Sequence, residues 1–418
     1  MSVRKVGASL CLVFCGVAAA CLVPAGAHAS GFVLYDQSAG ALAQGSAVVA
    51  STHEPAANWF NPAALAFQNG AAVSGTAALA YAGVRFTPDT GSTVKGSSGA
   101  QVVPNVFATT PLHGRWHMGL GLLAPYGYAV RWPQAWQGRE KAIAVDVAVL
   151  ALNLNVAARL SDRWSLAVGV APLYGRVNFV VGLPSEAASR GDLQGSAWNW
   201  QANAGALWRA IPGRWHWGAT YRGLNQNGRS RLHLRGPAKF EAMSATLAET
   251  FIDQEGKASL PLPDMASIGT AWWARPDLRF GLQLDYTRWS VFERLEVQFE
   301  RPTTPRVIID RRSRDAASLR AGMEYSGWRP GWQVRAGLTY EQTTGRPESL
   351  APSAPDGPRI AAAMGVGVAW RRTQIDVGYS FLYFLPAKAT TGLEGPAGTY
   401  DTRAHILSMT VAPALGKR

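Results

Sequence analysis

From Arg279 to Thr287 the apolar residues Phe280, Leu282, Leu284 and Tyr286 alternate with Arg279, Gly281, Gln283, Asp285 and Thr287. The same period of two runs through Trp332–Glu341, Ser318–Tyr325 and Trp215–Arg222. Such a period marks a strand with one apolar and one polar face. Followed along the chain, it predicts fourteen strands between Ala71 and Pro413, among them Gly213–Gly236, Ser259–Arg275 and Leu278–Glu300. The gaps between them alternate strictly: ten or more residues, then four or fewer. Long loops on one side and tight turns on the other mark an outer-membrane barrel, whose turns lie in the periplasm. An even strand count puts both chain ends on that side. A soluble sandwich also alternates, but here the polar face is rich in Gly and Arg, which suits a filled bore. Aromatics such as Trp332 and Tyr340 sit near strand ends, where a membrane barrel carries its girdles. The expected fold is therefore all-β: a 14-stranded antiparallel transmembrane β-barrel, closed because lipid offers no partner for an open strand edge.

Composition narrows the function. The chain has 418 residues, 44 of them Gly and 16 Trp, with 16% charged and 48% apolar. It is too apolar for long disorder, and beyond its first 25 residues no apolar run approaches the length of a spanning helix. Residues 1–29 read as a signal peptide: Arg4 and Lys5, an apolar stretch from Val6 to Val23, and Ala27-His28-Ala29 before Ser30. A lipoprotein-like box at Ala18–Cys21 and an uncleaved anchor are the rival readings. All three cysteines lie in this stretch, so the exported part has no disulfide. The formal charge of +13 suggests anionic lipid and lipopolysaccharide as partners rather than nucleic acid. The arginines between Arg301 and Arg314 fit lipopolysaccharide phosphates or plain solvation.

Residues 30–70 lack sustained alternation, yet carry Phe32, Leu34, Tyr35, Trp59, Phe60 and Phe67. A disordered tail would be less apolar. Fourteen strands leave a bore that wall side chains alone do not fill. The expected organisation is a signal peptide (1–29), a hatch folded into the lumen (30–70) and a barrel (71–418).

Ser30-Gly31-Phe32, Asn61-Pro62-Ala63, Gly119-Leu120-Gly121 and Ala124-Pro125-Tyr126-Gly127 together resemble the FadL-type long-chain fatty acid transporters of the bacterial outer membrane. Leu262-Pro263-Asp264-Met265, Ser267-Ile268-Gly269, Asp285 and Trp289-Ser290 extend the resemblance, in order, over the whole exported chain. It implies a hatch-bearing barrel that carries hydrophobic substrates inward, with the hatch motif at Asn61, Pro62 and Ala63. The end of the chain departs from the pattern, running from Pro413 to Gly416-Lys417-Arg418 without the usual terminal aromatic.

The residues themselves suggest a route. Exposing an acyl chain to water costs about 0.8 kcal/mol per CH₂, so a water-filled pore is the wrong solution for a fatty acid. The outward series Trp116, Met118, Leu120, Leu122 is broken by Leu123 and Pro125, just before Gly127, with Pro104 on the neighbouring strand. A kink there would open the wall sideways; prolines and bulges also end harmless strands. In the longest loop, Phe240, Met243, Leu247 and Phe251 fall at helical spacing. That face is either a capture groove for hydrophobic ligand or a small helix packed on the rim. The expected path starts there, reaches a pocket beside Phe32 and Leu34, and leaves through the kink. Arg222, Arg320 and Arg335 share the inward face, with Asp285, Glu324 and Glu341 available to pair; they serve as ion-pair ladders or as partners for a substrate carboxylate.

No catalytic constellation, metal-ligand spacing or cofactor motif stands out, so no enzyme or cofactor is expected. An outer-membrane lipid hydrolase would need Ser partners that His216 and His233 lack. Aromatic hydrocarbons would suit the same path as fatty acids, and a polar porin or structural barrel is the remaining alternative. Nothing in the sequence demands more than a monomer.

Overall fold

The computed structural model describes residues 31–184, 188–223, 230–390 and 395–415. The expected signal peptide lies outside the described residues. The strands are β1 (Ala72–Pro88), β2 (Val94–Pro111), β3 (Trp116–Arg131), β4 (Ala144–Arg159), β5 (Trp164–Gly182), β6 (Arg190–Ile211) and β7 (Trp215–Gly223). They continue as β8 (Ser230–Glu241), β9 (Gln254–Leu262), β10 (Met265–Arg275), β11 (Leu278–Thr287), β12 (Arg294–Phe299) and β13 (Val307–Asp310). The last are β14 (Ala316–Tyr325), β15 (Trp332–Glu341), β16 (Arg359–Trp370), β17 (Thr373–Phe384), β18 (Ala387–Ala389) and β19 (Gly398–Pro413).

Fourteen of these make the wall: β1 to β7, then β10, β11, β14 to β17 and β19, each antiparallel to its neighbours. The barrel closes where β1 pairs with β19, from Gly75 opposite Val411 to Pro88 opposite Gly398. Alternation dictates the two faces. On β11 Phe280, Leu282, Leu284 and Tyr286 are exposed on the outside, while Arg279, Gln283 and Asp285 are buried inside.

Three predicted strands are each broken in two, because the chain leaves the wall at one level. The predicted Ser259–Arg275 strand breaks at Pro263, which has no N–H for the ladder, and the Asp264 carbonyl instead accepts from Arg288 N at 2.8 Å. The predicted Leu278–Glu300 strand breaks at a 3₁₀ turn, Trp289–Val291, that carries Trp289 into the interior, where it is 1% exposed. The predicted Gly213–Gly236 strand becomes β7 and β8 on either side of residues outside the description. Beyond the breaks, β8, β9, β12 and β13 pair in sequence as an extension of the wall on the long-loop side. No described helix is long and apolar enough to cross a membrane.

Residues 31–70 lie against the inner face. Ala39–Leu42 and Ala57–Phe60 form short helices, and Pro62–Phe67 a 3₁₀ turn. The stretch from Ala39 to Ala50 runs along a track of inward glycines on successive strands, among them Gly269, Gly322, Gly365 and Gly378. A Cβ on Gly322 would lie 2.5 Å from the Gln44 carbonyl oxygen, and one on Gly378 would lie 2.5 Å from that of Ala39. Only glycine permits so close a backbone approach. All four glycines sit a few residues from a short turn, so the segment follows the inner wall near the short-turn end.

Candidate functional site

Above that segment the inward faces change character. Val145, Val147 and Val149 of β4, Leu173 and Phe179 of β5, Leu232 and Leu234 of β8, and Leu260 and Leu262 of β9 are buried in one continuous apolar cluster. The cluster reaches Phe240, Leu295, Val297 and Phe299 at the long-loop mouth and Phe32 at the tip of the inner segment. Phe32 meets Trp289 edge-on at 4.8 Å between centroids, Tyr126 at 5.9 Å and Phe292 at 6.5 Å. The upper bore is thus an apolar chamber with an aromatic floor.

One wall of the chamber is incomplete. β2 and β3 pair from Val106 opposite Leu122 to Pro111 opposite His117, and again only at Ser97 opposite Arg131. Between those points residues 98–105 and 123–130 have no mutual ladder. β3 also shifts register against β4 between Leu123 and Tyr126, across Pro125. The inner segment takes up the freed backbone of β3: Leu34 N donates to the Pro125 carbonyl at 2.9 Å, and Gly127 N to the Phe32 carbonyl at 2.8 Å. Gln37 Nε2 reaches the Leu34 carbonyl at 2.9 Å and the Ala124 carbonyl at 3.4 Å. Leu34 is fully buried in a cluster with Val103 and Ala124, one residue from each edge of the gap. Pro104, with no N–H to donate, lies on the unpaired stretch of β2.

The inward arginines separate into two kinds. Arg320 is bonded to Asp285, with Glu341 at 3.8 Å, and its guanidinium stacks on Tyr35 at 3.9 Å. Arg335 bridges Glu324 and Asp376, each at 2.6 Å. Both sit in acid ladders that hold the lower wall. Arg222 has no carboxylate partner among the described residues. Its guanidinium lies 3.5 Å over the Trp59 ring and Nη2 donates to the Trp59 carbonyl at 3.0 Å, leaving Nη1 buried without a partner. On the adjacent strand Gln201 accepts from Tyr126 Oη at 3.1 Å, and its Nε2 is also unsatisfied.

Residues 20–413 match the family described as "Outer membrane protein transport protein (OMPP1/FadL/TodX)". The chain belongs to this family. A long-chain fatty acid transport protein of Escherichia coli O6:H1 is 24% identical over 338 residues, 72% of this chain and 73% of that protein. The structure of a Pseudomonas aeruginosa FadL homologue superposes with a TM-score of 0.83 at 19% identity, covering 92% of this chain and all of that one. That of the P. putida toluene transporter TodX gives 0.76 at 16% identity, covering 94% and 100%. The chain is therefore a FadL-type outer-membrane barrel whose relatives are transport proteins, not enzymes.

Asn61-Pro62-Ala63 ties the inner segment to the wall. Asn61 is fully buried; its Nδ2 donates to the Val49 carbonyl at 2.7 Å and to the Ala206 carbonyl of β6 at 3.0 Å. Its Oδ1 accepts from Ala63 N at 3.1 Å and so caps the turn that Pro62 begins. The structure brings Phe32, Leu34, Leu123, Pro125 and Gly127 together and ties Asn61, in the inner segment, to a different strand, β6.

The expected loop helix through Phe240, Met243, Leu247 and Phe251 is corrected. The helix spans only Ala245–Thr250, and Phe240 belongs to β8, because pairing with β6 at Gly191 keeps that stretch extended. Phe240 still meets Phe251 at 5.4 Å and Phe299 at 5.6 Å, facing the chamber, while Met243 is 73% exposed, its N donating to Ser189 Oγ at 2.9 Å. Sequence reasoning missed Asn58, Asn153 and Asn155. Asn58 Nδ2 donates to the Asn153 carbonyl at 3.0 Å, Asn153 Nδ2 donates to the Asn58 carbonyl at 2.8 Å, and Asn155 bonds the Asn58 side chain. The signal was present as two asparagines alternating with Leu152, Leu154 and Val156.

Proposed function

We propose that this protein carries long-chain fatty acids or similar hydrophobic small molecules across the outer membrane. The supporting observation is the continuity of one apolar cluster from Phe240 and Phe299 at the mouth to Phe32, beside an unpaired stretch of wall. Ligand meets Phe240 and Phe251 first and partitions into the chamber because each CH₂ removed from water is worth about 0.8 kcal/mol. Residues 31–70 act as a hatch, and ligand takes the place of Phe32 and Leu34. Withdrawal of Leu34 opens the gap between β2 and β3, and the ligand leaves sideways into the bilayer. Arg222, buried and without a counter-charge, receives the carboxylate, while Arg320 and Arg335 keep their acids.

The relatives that these structures represent include a toluene transporter, and an aromatic floor would suit hydrocarbons too. Arg222 favours the acid. The test is uptake of labelled oleate and labelled toluene by a transporter-deficient strain. Oleate uptake by the wild type is expected, with Arg222→Gln weakening oleate affinity by about 10- to 150-fold, the worth of about 1.5–3 kcal/mol for a charge-assisted bond. Toluene uptake with no oleate uptake would replace the fatty-acid reading by the hydrocarbon one. Stable ion conductance with neither uptake would leave a porin.

A further inference from the structure

On the outer surface, at the long-loop end of β19, β1, β2 and β3, register sets four cations side by side. Arg85 lies directly opposite Lys95 on β2, Gly83 lies opposite both Ser97 and Arg403, and Ser97 lies opposite Arg131. The four line an open groove of about 510 Å³. Two carboxylates answer the four: Asp401, opposite Arg85 on β19, lies 3.6 Å from Arg403, and Asp146 binds Arg131 at 2.5 Å. Asp401 turns to Arg403, so neither Arg85 nor Lys95 forms an ion pair among the described residues, and four cations share two carboxylates. Like charges directly opposed across a strand pair are unfavourable, so the arrangement calls for an external anion.

Its height identifies the anion. Four residues below Arg85, Tyr81 is exposed on the same outward face, and below it the outward row continues through Leu79, with Leu407 and Met409 on β19. Tyr81 stands where a barrel carries its interfacial aromatics. At a strand rise of about 3.3 Å per residue and the tilt of a barrel wall, Arg85 and Lys95 stand about 10 Å above it, and Arg131 and Arg403, level with Gly83, about 5 Å above it. That is headgroup level in the outer leaflet. Four neighbouring strands about 4.8 Å apart give a cationic face about 14 Å wide, which suits a headgroup with more than one phosphate.

We propose that Arg85, Lys95, Arg131 and Arg403 form a binding site for a phosphorylated glycolipid of the outer leaflet, seated over the top of the gap between β2 and β3. Ser97 and Arg131 are the last paired residues above that gap, so a phosphate held by Lys95 and Arg131 brings its acyl chains down across the opening. The site is independent of which substrate the chamber takes.

The experiment is native mass spectrometry of the full chain in detergent, titrated in separate arms with diphosphoryl lipid A, phosphatidylethanolamine and inorganic phosphate. The wild type is expected to retain lipid A at least tenfold better than phosphatidylethanolamine, with millimolar phosphate failing to displace it. Arg85→Gln with Lys95→Gln is expected to lose that preference, and Arg163→Gln with Arg214→Gln, at the short turns, to keep it. Lys95→Gln alone relieves the Arg85 opposition and is expected to melt no lower than wild type without lipid, yet to gain less on adding lipid A. Equal lipid A retention by the double variant and the wild type would overturn the proposal. So would equal retention of phosphatidylethanolamine, or displacement of lipid A by free phosphate.

Discussion

The inner segment should come loose if the glycine track is filled. Alanine at Gly322 would put its Cβ 2.5 Å from the Gln44 carbonyl oxygen and 3.0 Å from the Gln44 Cβ. Alanine at Gly378 would meet the Ala39 carbonyl oxygen at 2.5 Å. Ordinary contact begins at 3.4 Å, so each side must yield by nearly an ångström. The wall strands are held by ladders on both edges, which leaves the segment to move. It cannot move cheaply. Ala39 N donates to Thr410 Oγ1 at 2.8 Å, and the Ala39 carbonyl is already the acceptor for Ala43 N at 3.0 Å.

Overpacking of this kind costs about 1–3 kcal/mol per site. β14 and β17 are three strands apart, about 14 Å, so the two costs add. Gly322→Ala with Gly378→Ala should therefore weaken docking by about 2–6 kcal/mol. Amide hydrogen exchange through residues 39–50 should accelerate by a factor of about 30 to 2 × 10⁴. Barrel amides should not change, and planar-bilayer recordings should show new conductance through the freed bore. Gly75→Ala, where a Cβ meets nothing within 4 Å, is the matched control. Unchanged protection of residues 39–50 in a correctly folded double variant would refute the packing argument.

Asn61→Ala removes the donor to the Val49 and Ala206 carbonyls, and exchange over residues 57–67 should rise by an amount equal to about 1–3 kcal/mol; no change would mean that the motif does not fasten the segment. Asp36 is 1% exposed, neither carboxylate oxygen has a side-chain or backbone donor besides its own N–H, and burial pushes its carboxyl up to about 7. The docked segment therefore holds a proton that an exposed Asp releases near pH 4. Docking is firmest below that and weakens as pH rises through 7. Exchange of residues 31–50 should quicken from pH 6 to pH 8 by about tenfold more in wild type than in Asp36→Asn, a comparison that isolates Asp36 from Glu54, itself pushed up to about 7 by burial and by Asp376. Pro125→Val restores an N–H to β3 and should lower oleate uptake while leaving oleate binding intact; undiminished uptake would count against lateral release.

The barrel was legible because nearly every wall residue faces either lipid or the bore, and two unlike environments print a period of two. The chamber was not, because there both environments are apolar. In β4 the inward Val145, Val147 and Val149 alternate with the outward Ala148 and Leu150, so the stretch reads as one apolar run. Alternation returns only at Asn153 and Asn155, where the inner segment begins to bond the wall. The broken strands divide in the same way. Pro263 announced its break through a missing donor, whereas the turn at Trp289–Val291 answers to a distant demand, the burial of Trp289 against Phe32. No local signal carries that.

The arginines show what register adds to composition. Arg222, Arg320 and Arg335 were equivalent in sequence: inward, on strands, with acids somewhere near. Pairing puts Arg320 beside Asp285 because Leu284 faces Leu319 across β11 and β14, and puts Arg335 directly opposite Glu324 on β14. Arg222 faces Met265 on one side and Asn203 on the other, and so meets no acid. A buried guanidinium without a counter-charge is costly, and a wall of this kind would keep one only where an anion arrives from outside. The same reasoning applies to Arg85 and Lys95 on the lipid side. In both places the strand register leaves positive charge in excess, and the ligands proposed above would supply the missing negative charge: a fatty carboxylate within, a lipid phosphate without.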